Sequence, residues 1–308
     1  MVLHALARLQ HDGIGREDDD LLLSLFRRAE ATADDLTPQG VSSVLWALAR
    51  LKVQVPEDLF LALEDRAVET APEFPAQAVA NVLWALATLG REVDEELLET
   101  LCARAVEVSD DLKPQEVASL FWALGKTGRG VTPGVLQGLL GRALAVSRDF
   151  SPQGVANVLW GVAKLGAKVD GDVLRALQTQ AIQTAGQDGC TPQSIANMLW
   201  ALAKMGEGGV ETELVRVLGD RAVATADQFK PQDVANLLWA LVTLGITHPD
   251  RRLLQAMQRR ALLTAGDFKP QEVVNLVSSL EQIGIEDGEN AENLAPDTAG
   301  PEEAQGLD

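Results

Sequence analysis

With 308 residues, 46% of them apolar, the chain can build a sizeable core and is too hydrophobic to be disordered throughout. Two cysteines exclude a disulfide framework and most metal clusters, and no apolar run approaches the 18 residues of a membrane span. The formal charge of −19 argues against a uniformly basic nucleic-acid binder, but a total conceals its distribution.

From the N-terminus, Val2-Leu3-His4-Ala5-Leu6-Ala7 is the first copy of a string that later reads Val-Leu-Trp-Ala-Leu-Ala, as at Trp46. The array therefore starts mid-repeat, as expected of a truncated gene model or a fragment of a longer array. The segment from Met1 to Leu9 lacks the pattern of a secretory signal. All six tryptophans then follow in register: Trp46, Trp84, Trp122, Trp160, Trp200 and Trp239, spaced 38, 38, 38, 40 and 39 residues apart. A Gln stands seven residues before each: Gln39, Gln77, Gln115, Gln153, Gln193 and Gln232. Gln271 continues the series, with Ser278 in the Trp slot.

Each unit reads as two helices. The first opens on Pro-Gln, at Pro38, Pro114, Pro152, Pro192, Pro231 and Pro270. Proline suits the first helical position because the N–H it lacks has no partner there. Thr37, Ser151 and Thr191 before it are N-cap residues. Gly90, Gly128, Gly166, Gly206, Gly245 and Gly284 close the helix in the left-handed conformation. The second helix starts after Asp94, Thr132 or Asp170 and carries apolar residues at helical spacing, such as Leu97, Leu101, Ala105 and Val108. It ends at a polar turn such as Ser109-Asp110-Asp111. The longer gap falls in the loop Gly186–Cys190, so no helix is interrupted.

The expected fold is all-α: an α-solenoid of about seven 38-residue helix-turn-helix repeats over residues 1–285. The last unit has no second helix and carries Ser278, Ser279, Glu281 and Gln282 at apolar positions, as expected of a terminal cap. Residues 286–308 hold eight carboxylates and no cation and read as an acidic disordered tail, which leaves −11 on the rest.

The first helix is apolar nearly all round. In the second unit Ala78, Asn81, Ala85 and Thr88 are expected to face water, one helical stripe. The same stripe holds Gly40, Ser43, Ala47 and Arg50, then Glu116, Ser119, Ala123 and Lys126. Gly154, Asn157, Gly161 and Lys164 follow, then Ser194, Asn197, Ala201 and Lys204. The last two are Asp233, Asn236, Ala240 and Thr243, and Glu272, Asn275, Ser279 and Gln282.

Two columns emerge. Ser43, Asn81, Ser119, Asn157, Asn197, Asn236 and Asn275 form a column of amides and hydroxyls; Arg8, Arg50, Lys126, Lys164 and Lys204 form a basic one, interrupted by Thr88 and Thr243. Small residues between the columns are expected to leave room for a ligand. Such a groove suits single-stranded RNA, with cations on phosphates and amides on base edges, about one base per repeat. Competing structural roles are that the amides bond neighbouring backbone and that the cations complement the helix dipole. The Trp column is expected to pack in the core between helix pairs, and the Gln column to cap the Pro turn. His4, His11 and His248 are expected in loop or core positions, Cys102 in a packed helix and Cys190 in a loop.

The string Pro-Gln-x-Val-Ala-Asn-x-Leu-Trp-Ala-Leu-Ala-Lys-Leu-Gly, best seen at 152–166 and 192–206, resembles the octotricopeptide repeat. Related repeats occur in FAST-kinase-like proteins and in an RNA-editing substrate-binding complex subunit. The resemblance covers residues 1–285 and implies RNA binding in mitochondria or chloroplasts, acting on transcript processing, stability or translation. Nothing in the chain matches the RAP domain that family members often carry, so no nuclease activity is implied.

No Gly-rich phosphate loop, nucleophile elbow or His-based metal motif is present, so no enzyme, cofactor, metal or small-molecule substrate is expected. The expected function is a non-catalytic single-stranded RNA-binding repeat protein of an organelle. The alternative is a protein–protein scaffold using the groove or the acidic outer face.

Overall fold

In the computed structural model of the chain, residues 19–206 and 209–283 are described. They form fourteen α-helices and no strand: α1 (Asp19–Glu30), α2 (Pro38–Leu51), α3 (Glu57–Thr70), α4 (Ala76–Leu89), α5 (Glu95–Glu107), α6 (Pro114–Thr127), α7 (Pro133–Ala145), α8 (Pro152–Lys164), α9 (Gly171–Thr184), α10 (Pro192–Met205), α11 (Thr212–Ala224), α12 (Pro231–Thr243), α13 (Arg251–Leu263) and α14 (Pro270–Gln282). The even-numbered helices are the Pro-Gln helices, and each odd one from α3 to α13 follows its even partner. Arg8, His4, His11, Gly284 and the segment 286–308 lie outside the described residues.

Residues at the helix ends set these boundaries. Hydroxyls of Thr37, Ser151 and Thr191 accept from the N–H of Gly40, Gly154 and Ser194 at 3.1–3.3 Å. Where the cap is lysine, the acid three residues on replaces it: Glu116, Asp233 and Glu272 accept from the N–H of Lys113, Lys230 and Lys269. Asp94, Thr132 and Asp170 cap α5, α7 and α9. Gly90, Gly128 and Gly206 end their helices at φ of 62–66°. Lys52 takes the same left-handed conformation after α2, at φ 54°. One-turn 3-10 segments such as Ser109–Asp111 occupy the polar turns.

The even helices pack closely side by side from α2 to α14, while the odd helices stand wider apart behind them. A layer with closer spacing lies inside the bend of a stack, so the even helices line the concave side. Phe60, Phe74, Phe121, Phe150 and Phe229 are buried between the layers and the connecting turns. The tightest approach is between α6 and α8, where a Cβ added at Gly161 would sit 2.1 Å from the Phe121 carbonyl oxygen. The terminal helix α14 departs from the expected polar cap. Ser279 is buried, whereas Val273, Val274 and Val277 are exposed, at positions whose counterparts Val234, Ala235 and Leu238 in α12 are buried against α14.

A second recurring element ties each unit together. The guanidinium Nε of Arg66, Arg104, Arg142, Arg221 and Arg260, late in the odd helices, donates to the backbone carbonyl of Leu36, Phe74, Leu112, Cys190 and Phe229 at 2.6–3.1 Å. Those carbonyls lie just before the Pro-Gln helices and are left out of the helical ladder. Gln180 does the same for Phe150. Arg142→Ala is expected to cost about 1–3 kcal/mol in urea unfolding, because the Leu112 carbonyl is left without its partner.

Odd helices also reach the following unit. Glu64 accepts from the Asp94 N–H, and Gln178 at the corresponding position accepts from the Glu211 N–H. Burial pushes the Glu64 carboxyl above its ordinary value of 4.5, outweighing that hydrogen bond and Arg91. A raised folded-state pKa in an acid means that stability from this group is present below the unfolded value and is lost as pH rises. Glu64→Gln is therefore expected to stabilise the chain at neutral pH, with the gain vanishing on acidification below about 4.5, followed by thermal melting across pH.

Candidate nucleic-acid interface

One face of each even helix is left partly uncovered by its even neighbours and the odd layer. Residues of an α-helix advance about 100° per position, so positions 0, 4, 7 and 11 counted from the Gln fall within about 60° of one another. The outward stripe is consequently Gln, Asn or Ser, Trp, and a cation or Thr. In α8 these are Gln153, Asn157, Trp160 and Lys164; in α10 they are Gln193, Asn197, Trp200 and Lys204.

The expected columns lie on this stripe. Arg50, Lys126, Lys164 and Lys204 are exposed, and Ser43, Asn81, Ser119, Asn157, Asn197, Asn236 and Asn275 are half-buried with an open side. Arg50, Lys126, Lys164 and Lys204 stand in the last turns of α2, α6, α8 and α10, where they also complement the carbonyl end of the helix. Thr243 is exposed, whereas the Thr88 hydroxyl is buried without a hydrogen-bond partner.

The small residues do not open a space for a ligand. Ala47, Ala78, Ala85, Ala123, Gly161, Ala201 and Ala240 are buried, because the neighbouring even helix occupies that side. The true stripe is turned about 50° from the expected one, which centred on these positions.

The Gln column departs from its expected place, and the Trp column packs on the core only in part. The seven glutamines from Gln39 to Gln271 are exposed, and the cap bonds they were expected to make come from the Thr, Ser, Asp and Glu residues above. Gln39 and Gln271 instead donate to Ser43 and Asn275, one turn on along the same face, at 3.4 and 3.1 Å. The six tryptophans are half-buried on the front, with the fully buried aromatic positions taken by phenylalanine. Trp84 and Trp122 bring their ring centroids to 6.4 Å with the planes 34° apart, and Trp200 and Trp239 to 6.4 Å and 35°. Lys126 Nζ lies 5.1 Å from the Trp122 centroid and Lys164 Nζ 5.6 Å from that of Trp160. The signal for both columns was the 0, 4, 7, 11 spacing.

The acidic total divides between the layers. On the odd helices four arginines are matched by acids of their own helix: Arg66 with Glu69, Arg104 with Glu107, Arg175 with Asp172, and Arg216 with Glu213 and Asp220, at 2.7–3.2 Å. Arg50, Lys126, Lys164 and Lys204 form no ion pair among the described residues. A cleft of 660 Å³ between α10–α13 contains Arg216, Asp220, Asp250 and Arg252, whose charges are already paired with one another. Burial pushes the Cys102 thiol up to about 12 and raises Cys190, a loop residue that is nevertheless buried, so neither is poised as a nucleophile. His248 is exposed in a loop. Among the described residues no group of His, Cys, Asp and Glu could hold a metal ion, and no helix is long and apolar enough to cross a membrane.

Comparison with known proteins gives one family. The profile described as RNA-editing substrate-binding complex 6 protein matches residues 2–170 and again residues 135–300. No curated protein matches the chain. A solved structure of a designed armadillo repeat protein in complex with the peptide (KR)4 matches at 12% identity, covering 92% of this chain and 100% of that one, with a TM-score of 0.23.

Proposed function

The chain belongs to the RNA-editing substrate-binding complex 6 protein family, and we propose that it is a non-catalytic subunit that holds single-stranded RNA along its even-helix layer. One observation carries this reading. The cations Arg50, Lys126, Lys164 and Lys204 recur at one exposed position of the even layer with no carboxylate partner among the described residues, whereas Arg66, Arg104, Arg175 and Arg216 of the odd layer are each ion-paired. An unpaired row of cations beside a row of amides can neutralise phosphates while presenting donors and acceptors to base edges. The family name adds an editing complex as the setting, with protein partners alongside RNA. We place its action in mitochondrial or chloroplast transcript processing, stability or translation, and the octotricopeptide-like repeat fits the same setting.

The experiment is selection from a random single-stranded RNA pool on the purified chain. An enriched motif of about six to eight nucleotides supports reading at one base per repeat. Retention without a motif reduces the role to phosphate contact. No retention at low salt overturns the proposal and favours the second reading, a protein scaffold whose docking surface is the acidic outer layer.

A further inference from the structure

We infer that the Trp column is a nucleobase-stacking rail, with Trp46, Trp84, Trp122, Trp160, Trp200 and Trp239 each offering a ring face to one base of a bound RNA strand. This rests on the single-strand-binding reading above and names the chemistry of that site.

The chain separates its aromatic residues by place. Phenylalanines fill the interior, and five of the seven, Phe60, Phe74, Phe121, Phe150 and Phe229, are at most 2% exposed. The tryptophans all stand on the outward stripe, each half-buried, and Trp46, Trp84, Trp122, Trp200 and Trp239 rest in part against the core. Packing alone calls for burial of so large an apolar group, and it gives no reason to repeat an indole on the open face of six successive units. A base brought onto the ring covers the area left open there.

The neighbours of each ring complete a subsite. One turn before the Trp stands an amide or hydroxyl, and one turn before that a Gln. Together they offer donors and acceptors to the edge of a stacked base. One turn after Trp46, Trp122, Trp160 and Trp200 stand Arg50, Lys126, Lys164 and Lys204, while Thr88 and Thr243 follow Trp84 and Trp239. In the free protein Lys126 and Lys164 fold back over their tryptophans at 5.1 and 5.6 Å. A cation–π contact at an exposed site favours that pose by only about 2- to 5-fold. Stacking of a base on an aromatic ring is worth roughly 5- to 150-fold per site. The exchange therefore runs toward RNA: the base takes the ring face and the displaced ammonium moves to a phosphate. The rings of α4 and α6, and of α10 and α12, meet across two of the unit boundaries, so successive stacking sites adjoin there.

The chain contains no Tyr, and all six Trp residues belong to the rail, so its intrinsic fluorescence excited at the indole band reads nothing else. The test titrates the full chain with 12-nucleotide oligo(U) and oligo(A), with filter retention measured in parallel. Stacking predicts strong quenching that saturates with retention. Trp160→Leu is expected to weaken binding about 5- to 150-fold while the slope of log K against log salt is unchanged, since no phosphate contact is lost. Trp160→Phe is expected to restore most of the affinity, because a ring remains.

Retention without quenching, or Trp160→Leu binding within twofold of the parent, overturns the rail and leaves RNA binding standing. Absence of retention at low salt with either oligonucleotide overturns both. Should Trp160→Leu fail to fold, quenching of the unaltered chain decides.

Discussion

Changing Lys126, Lys164 and Lys204 together to Gln is expected to weaken single-stranded RNA binding by about 100-fold at 0.1 M salt. The three residues stand on α6, α8 and α10, so they form an unbroken cationic run across three adjacent even helices. Each phosphate contact on a single strand contributes about 0.7 to the slope of log K against log salt. Losing three contacts should flatten that slope by about 2, and at 0.1 M the same factor gives about five-fold in affinity per contact. Glu at all three positions should bind more weakly still, because repulsion is added to the lost contact. Gln is the safer change for folding, since Glu in the last helical turn opposes the dipole at about 0.3–1 kcal/mol per site. The measurement is a salt titration of oligonucleotide binding beside a thermal melt. Unchanged affinity and slope in a folded Gln variant would show that the front cations do not meet phosphate.

The second large effect is on the fold. Gly161→Val is expected to destabilise the chain by about 3 kcal/mol, and Gly161→Ala by somewhat less, because overpacking a close contact forces the backbone apart. The added Cβ would lie 2.1 Å from the Phe121 carbonyl oxygen and 2.5 Å from its carbon, and the obstacle is backbone that no rotamer change can clear. Gly125 faces the same seam, where an added Cβ would lie 2.6 Å from the Gly161 Cα. Other units carry Ala at the position of Gly161, as at Ala85 and Ala201, so the demand for glycine is local to α6 and α8. Gly141→Ala is the control with the opposite sign. It is an exposed position inside α7 with nothing within 4 Å of an added Cβ, so the gain in helix propensity, up to about 1 kcal/mol, is uncompensated. A solenoid is held by nearest-neighbour interfaces, so weakening the α6–α8 seam should split one unfolding transition into two. Urea unfolding followed by circular dichroism reads both the sign and the number of transitions.

Helix boundaries were readable in advance because they depend on residues close along the chain. Pro38, Thr37, Asp94 and Gly90 act on backbone groups within about one turn, and no tertiary contact is needed to know what they do. The repeat period was readable for a related reason: a unit that stacks on its own copy must present the same residues at the same positions. The basic and amide columns followed from that register, although Arg8 falls outside the described residues.

Which way each even helix faces was decided only by its neighbours. An even helix is apolar on most of its circumference, so its own amphipathicity is weak, and Trp84 and Ala85 differ by only about 100° of rotation. By size and hydropathy the Trp belongs inside. The even helices approach so closely, however, that only alanine, glycine or serine fits at the inter-helix position, as at Ala85, Ala123 and Gly161. That steric demand turns the small residues inward and leaves the half-buried indoles, with the glutamines two turns before them, on the open face. The arginine clamp was hidden for a similar reason. Arg66, Arg104 and Arg142 recur at the repeat period, but the carbonyls that they satisfy lie 30 residues back in sequence. Periodicity and capping belong to the sequence alone, because they act over one turn or one repeat. The outward face, and with it the chemistry available to a ligand, belongs to the tertiary structure, because it is whatever the stacked neighbours leave uncovered.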